Sequence, residues 1–248
     1  MKLYAENVAH AYSRGKPVLR GVSLGINAGE VVYLLGRNGC GKTTLLQCLS
    51  GALKPSEGRV LLEGRDIAHY RPAERARFVG LIPQLHAPTF AYLVRDIVLM
   101  GRAPHLPLFG APNAQDERIA YQALERVGMA GYAAQPYTQL SGGQRQLVMI
   151  ARGLAQQCAV LLMDETDAHL DLHHQALVMD VVSELAQGGL SFLVASHQPH
   201  NARAYAHRVV IMKGGRILTE GSPASTLTPD TLASAYDLPS VMPLPTKA

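Results

Sequence analysis

Short apolar runs alternate with amphipathic stretches along most of the chain. The run Val31–Leu35 is apolar throughout and precedes a glycine-rich segment, which predicts a buried strand ending in a turn. Later apolar runs predict further strands at 159–163, 190–196, 208–215 and 216–221. The first 30 residues and the last two of these runs are expected to form antiparallel strands at the edges of the sheet.

Helical patterns occupy the segments between the strands. Residues 43–53 follow the glycine-rich turn as a predicted helix, and the pattern is again helical from about 86 to 155. Within that region, 114–127 is amphipathic, with Asn113 as the predicted N-cap and Gly128 as the stop. The alternation predicts an α/β fold with a parallel sheet, an antiparallel β edge and an inserted α-helical subdomain.

The glycine-rich segment after Val31–Leu35 has the sequence GRNGCGKTT. Glycines there let successive backbone N–H groups point at phosphates, Lys42 can reach the β- and γ-phosphates, and the Thr43 hydroxyl can bind Mg²⁺. The helix that follows presents its positive end to the anion. Nucleotide contacts are expected from Gly36, Asn38, Gly39, Cys40, Gly41, Lys42, Thr43 and Thr44.

A second motif, LSGGQ, spans Leu140–Gln144. Ser141 and Gln144 have capping-box spacing, while Gly142 and Gly143 leave the first N–H groups of the helix bare for an anion. Alone, this pattern is as typical of an ordinary capped helix as of a functional motif. Its presence together with the phosphate loop favours the functional interpretation. The helix that follows carries an apolar stripe formed by Leu147, Ile150 and Leu154.

These motifs together resemble the ATP-binding-cassette (ABC) ATPase family over nearly the whole chain. CAVLLMDE resembles the Walker B strand, with Asp164 at its end and Glu165 in the position of the family's general base. The remaining matches are Gln84 of the Q-loop, His197 of the switch, Asp171 of the D-loop, and Tyr12 where the family stacks an aromatic ring on adenine. The family usually has Pro-Thr after Asp-Glu, whereas this chain has Thr166 and Asp167, which leaves D-loop geometry and hydrolysis rate open.

The resemblance implies a P-loop NTPase (RecA-like) core, with ATP and Mg²⁺ as cofactors. Glu165, His197 and Gln84 would be catalytic, and Thr43, Gln84 and Asp164 would hold the metal. Each ATP would lie between the phosphate loop of one copy and Ser141–Gln144 of a second copy, with Asp171 also contributing. The implied divisions of this single cassette (1–248) are a core with a β subdomain at 1–85 and 156–220, a helical subdomain at 86–155, and a C-terminal helix and tail at 221–248.

The segment FAYLVRDIVLMGR, residues 90–102, resembles ATPases of large-permease, vitamin-B12-type importers. That group takes up iron–siderophore complexes, haem, cobalamin and, in the branch this segment most resembles, molybdate or tungstate. The resemblance implies a homodimer on the cytoplasmic face of the inner membrane, beneath two permease subunits that are fed by a substrate-binding protein. A non-transport ATPase of the iron–sulfur-assembly type and an exporter ATPase are the alternatives.

Apolar side chains in the same region have two interpretations. Leu93, Ile97 and Met100 have helical spacing and suit either the subdomain core or a partner groove. A docking surface is the better expectation for apolar residues in the proline-rich part, namely Phe90, Leu106, Leu108 and Phe109.

Composition narrows the function classes. Of 248 residues 48% are hydrophobic and 17% charged, which is typical of a globular chain. The net charge of +4 comes without a Lys/Arg cluster, so no nucleic-acid partner is expected. No apolar run approaches the length of a membrane span, and no signal core is present. The unpaired spacing of Cys40, Cys48 and Cys158 favours a reducing compartment. Lys42 and the helix end form a setting that lowers the pKa of the Cys40 thiol, while the alternative is that Cys40 is a small residue that fills the turn.

Overall fold

A computed structural model describes residues 2–12, 15–84, 90–107, 109–165 and 172–238, with Leu172 described by its backbone alone. The strands and helices are, in chain order, β1 (Leu3–Ala11), β2 (Pro17–Ile26), β3 (Val31–Leu35), α1 (Lys42–Leu49), β4 (Glu57–Leu62), β5 (Arg65–Asp66), α2 (Pro72–Ala76), β6 (Val79–Ile82), α3 (Val94–Leu99), α4 (Ala114–Arg126), α5 (Gly142–Ala155), β7 (Val160–Asp164), α6 (Leu172–Gln187), β8 (Ser191–Ser196), α7 (Pro199–Tyr205), β9 (Arg208–Lys213), β10 (Arg216–Gly221), α8 (Pro223–Thr226) and α9 (Pro229–Tyr236). Short 3₁₀ turns cover Ile67–His69, Met100–His105, Ala130–Tyr132 and Tyr137–Gln139.

The main sheet has six strands in the order β10-β9-β3-β8-β7-β6. Five of them run parallel, and β10 pairs antiparallel with β9 at one edge. This arrangement confirms the predicted parallel α/β sheet and the antiparallel pair at its edge. The strands predicted after residue 158 are also confirmed, with boundaries shifted by at most two residues.

A second, four-stranded antiparallel sheet has the order β2-β1-β4-β5. The sequence placed the first 30 residues at the edge of the main sheet, and that placement is wrong. β1 forms backbone hydrogen bonds with β2 on one side and with β4 on the other, so neither of its edges is available to the main sheet.

The central strand β3 is buried on both faces, which explains its unbroken apolar sequence. Val31, Tyr33 and Leu35 face a core shared with α4, α5 and α6. Val32 and Leu34 face the opposite core, which α1 and the second sheet complete. The phosphate loop therefore begins from a strand that is buried along its whole length.

The predicted helices form, with two differences. α4 has the predicted Asn113 N-cap, completed by Asp116 in a capping box. α1 ends at Leu49 rather than at residue 53, because Gly51 adopts a left-handed backbone with φ +70°. In α3 the fully buried side chains are Val94 and Val98, while Ile97 is partly buried and Met100 is 46% exposed.

Helices α3, α4 and α5 pack against one another and form the inserted helical part of the fold. Phe90 and Phe109 on this part are exposed, Leu106 is half-buried, and Leu108 lies outside the described residues. Among the described residues, no helix combines the length and the apolar character needed to cross a bilayer.

Candidate nucleotide site

Parallel strands of the main sheet bring the predicted motifs to one edge. In the register of the sheet, Leu35 of β3 is opposite Ser196 of β8, and Ala195 is opposite Asp164 of β7. The phosphate loop, the switch residue and the Walker B pair each follow the carboxyl end of one of these strands. Open α/β sheets bind ligands at this edge.

Gly36 opens the phosphate loop, and the close approach of β9 explains why it is glycine. Its φ is +151°, and a Cβ built at this position would lie 2.4 Å from the backbone oxygen of Met212 and 2.8 Å from Sγ of Cys40. Any larger residue would displace the loop from β9. The loop then runs through exposed residues Asn38 and Gly39 to Gly41, the N-cap of α1.

Lys42 is the first residue of α1, and its side chain is only 4% exposed. Its Nζ donates to the Gly36 carbonyl at 2.8 Å and lies 3.3 Å from Oε1 of Glu165. The ammonium is therefore held directly beneath the loop whose N–H groups would bind phosphate. A buried cation paired with a carboxylate can exchange that partner for an anionic ligand.

Asp164 and Thr43 form the arrangement expected of a magnesium site. Oδ1 of Asp164 is buried without a hydrogen-bond partner. Burial raises the pKa of Asp164 above its ordinary value, although the nearby Thr43 side chain and Lys42 act in the opposite direction. A buried carboxylate oxygen with a free lone pair beside a hydroxyl fits a hard divalent cation.

Glu165 has an unusual backbone, with φ +45°. Its N–H donates to the Ala195 carbonyl of β8 at 2.9 Å, which fixes the residue at the end of β7. Strained backbone of this kind persists where the surroundings hold it and is common at functional sites. Its carboxylate is turned toward Lys42 and is 16% exposed.

Tyr12 lies just after β1, with its side chain 62% exposed. Its hydroxyl is 3.1 Å from Oγ1 of Thr44 and donates to Oε1 of Gln47 at 3.3 Å. The ring makes an edge contact with His10 at a centroid distance of 4.9 Å. These contacts hold the ring beside α1.

Gln84 and His197 follow β6 and β8, respectively. Gln84 is half-buried, and His197 is exposed at the same edge of the sheet as Glu165. Asp171, Thr166 and Asp167 lie outside the described residues, so the structure does not place them.

Ser141 caps α5 as predicted. Its hydroxyl accepts from the Gln144 N–H at 3.2 Å, and its own N–H donates to Oε1 of Gln144 at 3.0 Å. Gly143 has a further role that the motif did not reveal, because a Cβ there would lie 2.5 Å from the His174 ring of α6. The second glycine thus also permits close packing of α5 on α6.

The expected activation of Cys40 is wrong. Burial raises the pKa of its thiol, and this outweighs the lowering effect of Lys42. Only 8% of the residue is exposed, next to Gly36. Cys40 is a packing residue of the phosphate loop and not an activated thiol.

The sequence motifs also missed two residues, Tyr236 and Asp237, that lie far along the chain from the phosphate loop and contact the site. Arg37 of the phosphate loop pairs with Asp237 at the end of α9, and the Tyr236 hydroxyl donates to the His197 carbonyl. Nothing in the sequence near residue 236 indicates these contacts, because they arise from the path of the chain after β10.

Comparisons with known proteins agree with this architecture. Residues 19–168 match the family model described as ABC transporter. The chain is 40% identical over 226 residues to a hemin import ATP-binding protein of Streptomyces coelicolor, covering 91% of this chain and 80% of that protein. It is 34% identical over 238 residues to a molybdate import ATP-binding protein of Haemophilus influenzae, covering 96% and 88%.

Among solved structures, the fold is similar to an inward-facing structure described as a metal-chelate type ABC transporter. The TM-score is 0.84 at 33% identity, over 96% of this chain and 90% of that chain. A P-loop at the end of the central parallel strand β3, and a Walker B carboxylate pair at the end of β7 two strands away in the same sheet, define a nucleoside triphosphatase. The chain belongs to the ABC transporter family, as its ATP-binding ATPase component.

Proposed function

We propose that two copies of this chain form the ATPase of an importer that takes up a metal chelate or a metal oxyanion. The relationship of Lys42 to Glu165 and Asp164 at one sheet edge carries the catalytic part of the proposal. The import part is supported by relatives named for hemin, iron chelatin, cobalamin and molybdate. Those names describe the relatives, and we infer transport by this chain from its similarity to them.

In the proposed mechanism, the protein binds and orients ATP and positions one water. Lys42 exchanges its contacts with Gly36 and Glu165 for the β- and γ-phosphates, and the loop N–H groups neutralise further charge. Glu165, released from Lys42, orients the attacking water and accepts its proton. His197 contacts the γ-phosphate, and Tyr12 stacks on the adenine.

Thr43 and Asp164 would hold Mg²⁺, with Gln84 completing the set from the end of β6. The cation supplies charge neutralisation at the β- and γ-phosphates when bound. Gln84 also begins the connection to the helical part, so the metal site and the docking region are linked through the backbone. The remaining nucleotide contacts are assigned to the loop residues Asn38, Gly39, Cys40, Gly41 and Thr44.

A second copy would complete each site. Ser141 lies exposed at the N-terminus of α5, where its hydroxyl caps the Gln144 N–H and the Gly142 and Gly143 N–H groups lie in the first turn beside it. This end offers a positive dipole to a γ-phosphate held by another subunit. Asp171 is assigned to the same dimer interface by its motif. The proposed divisions are a core at 1–85 and 156–220, a helical subdomain at 86–155 and a C-terminal region at 221–248.

The permease is proposed to dock on the helical part. Phe90 and Tyr92 are 66% and 48% exposed, with their ring centroids 6.0 Å apart, and Phe109 is 97% exposed. Exposed aromatic residues of this kind mark interaction sites. Phe90 lies only six residues after Gln84, so the docked partner would sense the nucleotide state. The dimer would then lie on the cytoplasmic face of the inner membrane.

The test is affinity purification of tagged Glu165→Gln protein from detergent-solubilised native membranes with ATP, followed by mass spectrometry. A polytopic membrane protein in equal amount is expected. Uptake of radiolabelled haem, an iron siderophore, cobalamin and molybdate would then be compared in cells with and without the gene, with plasmid-borne wild type as the control. Recovery of only soluble partners, with all four uptake rates unchanged, would overturn the proposal and favour the iron–sulfur-assembly alternative.

A further inference from the structure

The last described helix, α9, ends against the nucleotide site. Its N-terminus is capped by Thr228, whose hydroxyl accepts from the Thr231 N–H at 3.2 Å. Leu232 and Ala235 are buried in the core that also contains the apolar face of β3. Both its cap and its packing hold α9 in place, so the residues at its C-terminal end have a defined position.

Asp237 joins this end to the phosphate loop. One carboxylate oxygen accepts from Nη1 of Arg37 at 2.5 Å, and the other accepts from Nζ of Lys213 at 2.8 Å. Lys213 also donates to the Ser234 carbonyl at 2.6 Å. Arg37 directly follows Gly36, so α9 is tied both to the phosphate loop and to the end of β9.

Tyr236 lies between the two parts of the site that face the γ-phosphate. Its hydroxyl donates to the backbone carbonyl of His197 at 3.4 Å. Burial raises the pKa of Tyr236 to about 12, against the opposing effect of the nearby Gly36 backbone N–H. The phenol therefore stays protonated near neutral pH and keeps its ability to donate.

These contacts form one connection between two adjacent strand ends. Gly36 follows β3 and His197 follows β8. Within the sheet, Leu35 and Ser196 are the last pair of residues that align these two strands. A phenol fixed by a rigid helix can set the position of the His197 backbone relative to the loop. Hydrogen bonds at catalytic sites are often long before substrate binds and shorten in the complex.

We propose that Tyr236 is a positioning residue for ATP hydrolysis, which holds the His197 loop at its working distance from the phosphate loop. Asp237 supports it by fixing the end of α9 to Arg37 and Lys213. The inference rests on the proposed role of His197 at the γ-phosphate. Tyr236 acts on turnover through His197, while ATP binding depends on the phosphate loop itself.

The experiment compares steady-state MgATP hydrolysis by purified wild type, Tyr236→Phe, His197→Ala and the double variant. Tyr236→Phe removes one oxygen and keeps the ring in its packing. We expect it to lower kcat roughly three- to tenfold, the effect of one neutral hydrogen bond, with KM for ATP changed less than about twofold. In the His197→Ala background the same change should have no further effect.

Tyr205→Phe is the matched control, because it removes a partly buried phenol at the end of α7, away from the strand ends that carry the site. Thermal midpoints of all variants should stay within about 4 °C of wild type, which separates positioning from a general loss of stability. Unchanged kcat in Tyr236→Phe, alongside a loss in His197→Ala, would overturn this inference alone. An equal loss from Tyr236→Phe with and without His197 would also overturn it. Unchanged kcat in His197→Ala would remove the proposed role of His197 and this inference with it.

Discussion

The Nζ atom of Lys42 lies 3.3 Å from Oε1 of Glu165, so the lysine of the phosphate loop pairs with the glutamate of the Walker B strand. Both side chains are largely buried, at 4% and 16% exposed. In the proposed mechanism, the phosphates of ATP would take the place of Glu165 beside Lys42. ATP binding would then release the Glu165 carboxylate for its proposed role as general base.

Replacing Glu165 with glutamine should separate binding from hydrolysis. The amide keeps the size of the side chain but cannot accept the proton of the attacking water, so kcat should fall on the order of 10²- to 10⁴-fold. ATP should still bind, and because it is not consumed, the ATP-bound dimer should accumulate. Phosphate release and light scattering after size exclusion would measure the two effects. Turnover near that of wild type would contradict the assignment of Glu165 as the general base.

Replacing Ser141 with alanine should impair hydrolysis more than stability. The capping hydroxyl shapes the N-terminus of α5, and its loss should cost at most about 1 to 2 kcal/mol of unfolding free energy. If that end binds the γ-phosphate of the partner copy, kcat should fall on the order of a hundredfold.

Ser222 provides the control for the Ser141 variant, because it caps α8 by accepting from the Ser225 N–H at 3.3 Å. Ser222→Ala should lose a similar amount of stability and keep its ATPase activity. Equal kcat values for the two variants, with both close to wild type, would argue against a role for Ser141 in the shared site.

Cys40 should react slowly with iodoacetamide at neutral pH. Burial raises the pKa of its thiol, so the thiolate fraction at pH 7 is below that of an ordinary cysteine. The rate should rise about tenfold per pH unit while the thiol stays mostly protonated, and bound ATP should reduce it by covering the loop. Peptide mapping by mass spectrometry at several pH values measures this, with glutathione as the reference thiol. A rate at pH 7 above that of glutathione would show that the thiol is activated after all.

Asp116 should contribute to acid sensitivity. The Asn113 backbone N–H and Arg102 hold the pKa of this carboxylate below its ordinary value. A lowered native pKa gives stability that is present above the unfolded pKa, about 3.9, and is lost as the pH falls through the lower native value. Thermal midpoints between pH 5 and 2 should fall less steeply in Asp116→Asn than in wild type.

Asp96→Asn is the comparison for Asp116, because Asp96 is a surface residue with its nearest Arg95 nitrogen at 3.7 Å. Its pH profile should follow that of wild type. Identical slopes for wild type and Asp116→Asn would show that the native pKa of Asp116 is not lowered.

Replacing both Phe90 and Phe109 with aspartate should weaken association with the permease. These rings are exposed in the isolated chain and would have to be desolvated on docking, which a carboxylate opposes. Co-purification from membranes should fall at least tenfold, while the ATPase activity of the isolated protein stays unchanged. Leu218→Asp, an equally drastic change at a 43% exposed position on β10, should leave co-purification intact. Full recovery of the permease with the double variant would place the docking surface elsewhere.

Local features of this protein could be predicted from its sequence. Apolar runs predicted β3, β7 and β8, the spacing of Ser141 and Gln144 predicted the capped start of α5, and glycines predicted the phosphate loop. Each of these features depends on a few consecutive residues, because hydrophobic periodicity, helix caps and turns are set by residues close together in the sequence. The family resemblance then predicted ATPase activity, because the motifs that carry the resemblance are also short stretches of sequence.

Contacts between residues far apart in the sequence could not be predicted in this way and are visible in the folded structure alone. The separate sheet containing β1, the burial of Val98 rather than Met100, and the contacts of Tyr236 and Asp237 with the nucleotide site depend on how whole elements pack. The pKa of Cys40 is a similar case, because neighbouring residues predicted a lowered value and burial reversed it. Desolvation and long-range pairing arise from surroundings assembled by the entire chain, and no local pattern encodes them.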